Sequence, residues 1–290
     1  MNLSGRKQKP EGSLYRHICG AAAALLSLAL FLSLFHAAQG KPKEQEAEIV
    51  VFGDSIMGEV RDRTAVPAQL ETMMGRRVYN SGLGGTCAAR TEQNTTLDYI
   101  WGTFSLVALA KAVEADDFGV QQSVVMRESN TEYFAEVIDE LEKIDFSKVD
   151  IFLIQQGLND YHLGVPIENP GNPFDEHTFL GALRVAVNSL KSRNPEARVV
   201  IVTPLFTWYT DERQMTCETA DYGGGVLEDY VNAEIAFAED MGIEVIDMYH
   251  DFFPHDEWED WELYSRDGMH PNEAGREKIA RRIAEHLRQE

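Results

Sequence analysis

Five residues in four short polar stretches have types that fit acyl-transfer chemistry. They are Ser55 in FGDS (52–55), Gly85 in NSGLGGT (80–86), Asn159 in GLND (157–160), and Asp267 with His270 in DGMHP (267–271). A serine hydroxyl is a weak nucleophile until a base accepts its proton, and imidazole suits that task near neutrality. Asp267, three residues before His270, is spaced to hold the second ring nitrogen from the same loop. Attack on an ester carbonyl creates an oxyanion. The candidate donors to it are the backbone N–H of Ser55, the N–H of Gly85 and the side-chain amide of Asn159. Each residue also has a plainer use. Ser55 fits a helix N-cap, Asn159-Asp160 a turn, and Gly84-Gly85 positions of unusual backbone angle. The segment is not a G-x-S-x-G elbow, because position 57 is Met.

The elements that must position these residues are readable as alternating patterns. Short apolar, β-branched runs at 47–52, 77–80, 150–155, 198–203 and 243–247 read as strands. They are apolar throughout rather than alternating, as expected of parallel strands buried on both faces. Helical periodicity follows at 133–141, 179–190, 226–241 and 274–287. Strand and helix in alternation predict a doubly wound parallel sheet, which binds ligands at the carboxyl ends of its strands. Three of the polar stretches directly follow the first three strands, and the fourth precedes the last helix.

In this order and spacing, FGDS, NSGLGGT, GLND and DGMHPNEAG resemble the four blocks of the SGNH, or GDSL, hydrolase family, from about Ile49 to the C-terminus. The resemblance implies a flavodoxin-like three-layer α/β/α sandwich around a central five-stranded parallel sheet. It further implies esterase or lipase activity with no metal or other cofactor. Ser55 would be the nucleophile and first oxyanion donor, Gly85 the second donor and Asn159 the third, with Asp267 and His270 completing the triad. Two departures stand out. Thr86 and Cys87 follow Gly85 where the family commonly has Asp or Asn, which leaves Gly84 as a rival donor. Long insertions also lie near 88–129 and 206–225.

The first forty residues differ from the rest. Residues 18–38 carry no charged side chain and follow a basic leader, 1–17, with Arg6, Lys7, Lys9 and Arg16. The stretch reads as a transmembrane anchor, or as a signal segment cleaved near Ala38-Gln39-Gly40. Either reading, with a linker at 39–48, places the domain from residue 49 to 290 outside the cytoplasm and restricts membrane contact to the N-terminal helix. From residue 44 onward, 47 acidic side chains oppose 20 basic ones, a net charge of −27, which disfavours nucleic acid as a partner. Cys87 and Cys217 fall in loops and are read either as a disulfide or as two free thiols.

Asp160, His162, Trp208 and Tyr209 are expected at the substrate cleft. Tyr222 and the WEDWELY segment (258–264) form either an aromatic wall or ordinary edge packing. His250, Asp251, His255 and Asp256 lack metal-ligand spacing and read as a surface loop. The expectation is an extracytoplasmic serine esterase acting on a small acyl ester or acylated glycan, with O-acetyl groups on carbohydrate foremost. A lipase, lysophospholipase or acyltransferase would use the same residues, and a non-catalytic glycan-binding protein would need only the fold.

Overall fold

A computed structural model describes residue 43 and residues 46–91, 102–125 and 131–289. The leader (1–17), the anchor or signal segment (18–38) and the start of the linker lie outside the described residues. Among the described residues, no helix is long and apolar enough to cross a membrane.

The strands are β1 (Ile49–Gly53), β2 (Val78–Asn80), β3 (Ile151–Gln155), β4 (Arg198–Val202), β5 (Trp208–Tyr209), β6 (Met215–Thr216) and β7 (Glu244–Ile246). Five of them form one parallel sheet in the order β2-β1-β3-β4-β7. β5 and β6 pair antiparallel within residues 206–225. The principal helices are α1 (Ser55–Gly58), α2 (Val66–Met74), α3 (Leu106–Ala115), α4 (Tyr133–Leu141), α5 (Leu158–His162), α6 (Phe179–Arg193), α7 (Leu227–Met241) and α8 (Glu273–Leu287).

Alternating strand residues feed two cores. Ile49, Val51, Ile151 and Leu153 pack on one face with side chains of α2 and α8. Val50, Phe52, Phe152 and Ile154 pack on the other with side chains of α3, α4, α6 and α7. The result is the three-layer α/β/α arrangement, and burial on both faces explains the uninterrupted apolar runs. The connections from β1 to β2 and from β3 to β4 leave in opposite directions. The switch point therefore falls between β1 and β3, whose ends are level, with Gly53 opposite Gln155.

Cys87 and Cys217 are both buried free thiols, so the disulfide alternative is set aside. The Thr207 N–H donates to Cys217 Sγ at 3.4 Å, and Tyr249 Oη lies 3.7 Å from the same sulfur.

Glu234, on α7, is fully buried, and neither of its carboxyl oxygens has a hydrogen-bond partner among the described residues. Burial, and then the nearby Asp160, push its carboxyl well above the ordinary range. A folded value above the unfolded one makes the folded state retain a proton that the unfolded chain releases. The stability this group contributes is therefore full below the unfolded value and is lost as pH rises toward the folded one. Glu234→Gln is expected to match wild type near pH 4 and to be more stable at pH 8 by roughly 1–3 kcal/mol. Thermal unfolding at the two pH values checks this, and an equal difference at both would overturn it.

Candidate active site

β1 ends in Gly53, and Asp54 turns the chain into α1. Asp54 Oδ1 accepts the Ile56 N–H at 2.8 Å, so Asp54 is the N-cap and Ser55 is the first helical residue. Burial raises the Asp54 carboxyl to about 6, against the opposing effects of the Ile56 N–H, the His270 charge and the Gln155 amide. The far end of α1 lies directly on the loop after β2. A Cβ at Gly58 would sit 2.2 Å from the Gly82 carbonyl oxygen, so the two backbones meet only because both residues are glycine. This contact brings the glycine loop beside Ser55.

The loop before α8 supplies the other two groups. Ser265 and Pro271 form an isolated antiparallel bridge that closes the turn. Inside it, Ser265 Oγ accepts the N–H of Gly268 at 2.7 Å. Asp267 Oδ1 accepts the backbone N–H of Met269 (3.0 Å) and of His270 (2.7 Å), and its Oδ2 lies 2.8 Å from His270 Nδ1. His270 Nε2 lies 3.2 Å from Ser55 Oγ. Burial alone would raise the Asp267 carboxyl, but the bonds from the His270 backbone and ring and from the Met269 N–H outweigh it. The group is held below its ordinary value and stays ionised. Ser55, His270 and Asp267 thus form one hydrogen-bonded line at the carboxyl rim of the sheet.

Three N–H groups are the candidate oxyanion donors. The Ser55 N–H stands at the start of α1, where no intrahelical acceptor exists. Gly85 has φ +77° and its N–H meets no acceptor among the described residues. Gly84, the rival, gives its N–H to Tyr133 Oη at 2.8 Å. Asn159 donates one amide proton to the Thr86 carbonyl at 3.0 Å, which ties the third loop to the second. Thr86, at the first departure from the family pattern, closes its own loop by donating Oγ1–H to the Leu83 carbonyl at 2.7 Å.

The cleft residues separate. Asp160 does not line the cleft. It is fully buried, and its two oxygens accept the N–H groups of Ala88 (2.8 Å) and Ala89 (2.9 Å), holding the chain that follows the glycine loop. Burial raises its carboxyl to about 7 despite these bonds. Trp208 and Tyr209 are almost wholly buried, yet they edge a 240 Å³ pocket whose wall also includes Thr210, Arg213, Met269 and His270. His162 packs edge-on to Tyr209 and Tyr222, and its Nε2 lies 2.8 Å from Tyr209 Oη. Burial, helped by the charges of Arg213 and His270, lowers it to about 4, so it is a neutral ring near neutral pH. In the WEDWELY segment, Trp258 and Trp261 are partly buried against the core.

His255 stacks on Phe206, and His250 pairs with Asp247. Among the described residues, no group of three His, Cys, Asp or Glu side chains is placed to hold a metal ion. Two residues near the site carried no signal in the spacing of the four stretches. One is Tyr133. The other is Glu59, whose Oε2 lies 3.8 Å from His270 Nε2 and also pairs with Arg266.

A parallel α/β/α sheet with a Ser-His-Asp line at its carboxyl rim defines a hydrolase type, and sequence comparison identifies the family. The model of the GDSL-like Lipase/Acylhydrolase family matches residues 51–278, and the chain belongs to that family. Comparison with curated proteins gave no match. Among solved structures, one protein is 25% identical with a TM-score of 0.60, over 83% of this chain and 96% of its own. A protein from Lactobacillus plantarum is 18% identical with a TM-score of 0.56, over 84% of this chain and 98% of its own. A protein from Chitinophaga pinensis DSM 2588, described as "a possible lipase", is 18% identical with a TM-score of 0.53, over the same shares. The last two likenesses bear on the fold.

Proposed function

We propose that this chain is an extracytoplasmic serine esterase that hydrolyses small acyl esters, O-acetyl groups on carbohydrate above all, through an acyl-enzyme intermediate. The observation that carries the reading is the continuous line from Ser55 Oγ through His270 to Asp267 at the sheet rim. Ser55 Oγ attacks the ester carbonyl while His270 Nε2 takes its proton. The resulting oxyanion is met by the N–H groups of Ser55 and Gly85 and the amide of Asn159. His270 then protonates the departing alcohol, and a water molecule, deprotonated by the same ring, releases the acid.

The substrate class is supported by the pocket beside His270. Its wall is aromatic and polar, from Trp208 and Tyr209 to Thr210 and Arg213, rather than a continuous apolar channel for a long acyl chain. The proposed compartment is supported by the uncharged 18–38 stretch behind its basic leader.

The test is the full chain assayed on p-nitrophenyl acetate, a long-chain p-nitrophenyl ester, acetylated xylan and lysophospholipid. Acetate release from the first and third is expected to lead. Faster turnover of the long-chain ester or the phospholipid would replace this reading with a lipase, and no turnover of any of the four would leave a binding protein. A C-terminal reporter that is active only outside the cytoplasm tests the compartment.

A further inference from the structure

Gly84, which lies against Ser55, and Gly85 present two successive backbone N–H groups, and among the described residues only the first is tied down. Gly84 gives its N–H to Tyr133 Oη at 2.8 Å, while that of Gly85 meets no acceptor among the described residues. The Gly84 N–H belongs to the Leu83–Gly84 peptide plane and the Gly85 N–H to the next plane, and with glycine on both sides that second plane turns over at little steric cost unless the plane before it is anchored. Tyr133 Oη anchors that preceding plane. Resting on the serine-esterase reading above, we propose that Tyr133 is a positioning residue that captures the Gly84 N–H and thereby keeps the Gly85 N–H aimed at the oxyanion.

The tyrosine is itself held. It opens α4, its ring meets Phe134 edge-on with centroids 4.9 Å apart, and the Arg61 guanidinium lies 5.2 Å above its centre. The same guanidinium donates to the carbonyls of Asn80 (2.8 Å) and Gly82 (3.3 Å), so ring and loop share one clamp. The hydroxyl is also close to the reacting group. A Cβ at Gly84 would lie 3.3 Å from Tyr133 Oη and 3.6 Å from Ser55 Cβ, so phenol and serine flank the same glycine. Burial raises the Tyr133 phenol above its ordinary value, which keeps it protonated and neutral near neutral pH.

Tyr133→Phe keeps the ring, the Phe134 contact and the Arg61 contact and removes only the acceptor. Tyr79→Phe is the matched control, because Tyr79 Oη donates to the Val137 carbonyl of the same helix at 2.7 Å and not to the Gly84 N–H. In the full chain assayed on p-nitrophenyl acetate, Tyr133→Phe is expected to lower kcat roughly 10- to 100-fold with KM within about twofold of wild type. Tyr79→Phe is expected to keep the wild-type kcat. Amide hydrogen exchange gives a second readout. The Gly84 N–H is expected to be protected in wild type and in Tyr79→Phe, and unprotected in Tyr133→Phe. An unprotected Gly84 in wild type, an unchanged kcat in Tyr133→Phe, a loss confined to KM, or an equal kcat loss in Tyr79→Phe would each overturn the role. An inactive wild type would overturn the esterase reading and this role with it, whereas an active wild type matched by its Tyr133→Phe variant overturns the role alone.

Discussion

Ser55→Ala is expected to lower kcat/KM on a short acyl ester by roughly 10⁴- to 10⁶-fold, the scale seen when a triad nucleophile is deleted and the oxyanion donors remain. It is also expected to leave the thermal unfolding midpoint close to wild type. The second half of this expectation separates the two readings of the serine. A helix N-cap replaced by alanine costs about 1 kcal/mol, and from sequence alone that role fitted Ser55. The structure gives the cap to Asp54, whose carboxyl takes the Ile56 N–H. Ser55 Oγ is left with His270 Nε2 at 3.2 Å as the side-chain contact it loses on truncation. Alanine at 55 therefore removes chemistry while the cap stays in place, and alanine at 54 would do the reverse. Steady-state rates and thermal unfolding on the same samples check this. A loss under tenfold, or a large drop in midpoint, would mean that the serine is structural.

Much of this arrangement was legible because the residues concerned are constrained by one dominant effect. The sheet strands are buried on both faces, so IVVF, IFLI and VVIV are apolar without interruption and stand out in the chain. α3 escaped for the same reason. Leu106, Val107, Ala108, Leu109 and Ala110 are all buried, so the first half of the helix shows no 3.6-residue period, and only Lys111 and Glu114 mark an exposed face. α2 was missed although it carries Pro67 near its start and Gly75 at its left-handed end, signals that mark both termini of a helix.

In the site, adjacency in sequence misled where helical geometry separates neighbours. Asn159 and Asp160 are consecutive on α5, and successive helical side chains diverge by about 100°. One amide consequently stays at the rim, while the next carboxyl turns inward to Ala88 and Ala89. Tyr133 was invisible for a different reason: its meaning lies in a contact with Gly84, 49 residues away, that no local pattern encodes. The choice between Gly84 and Gly85 could not be made from the glycine run itself, since the distinguishing acceptor is contributed by α4.

Asp267→Asn is expected to lower kcat roughly 10³- to 10⁴-fold while leaving the fold and KM nearly unchanged. The reason is the tautomer of His270 rather than the loss of a contact. Oδ1 of Asp267 accepts two backbone N–H groups, from Met269 and His270, and only Oδ2 faces the ring. In asparagine, the carbonyl oxygen must occupy the first position, because an NH₂ there would oppose two donors. The NH₂ is then directed at His270 Nδ1 and can bond only to a lone pair on that nitrogen. The ring responds by carrying its proton on Nε2, the atom that must accept the proton of Ser55. Base and nucleophile would remain 3.2 Å apart with the proton on the wrong side of the ring. The amide cannot recover activity by turning over, since that would leave both backbone N–H groups facing a donor in a turn that Ser265 and Pro271 hold closed. Asp267→Ala, which abandons both backbone N–H groups, should combine a similar loss of rate with a lower unfolding midpoint. Parallel kinetics and unfolding of the two variants check the argument. If Asp267→Asn keeps more than about a tenth of the wild-type kcat, the carboxylate does not set the tautomer, and Glu59, 3.8 Å from Nε2, becomes the acid to replace next.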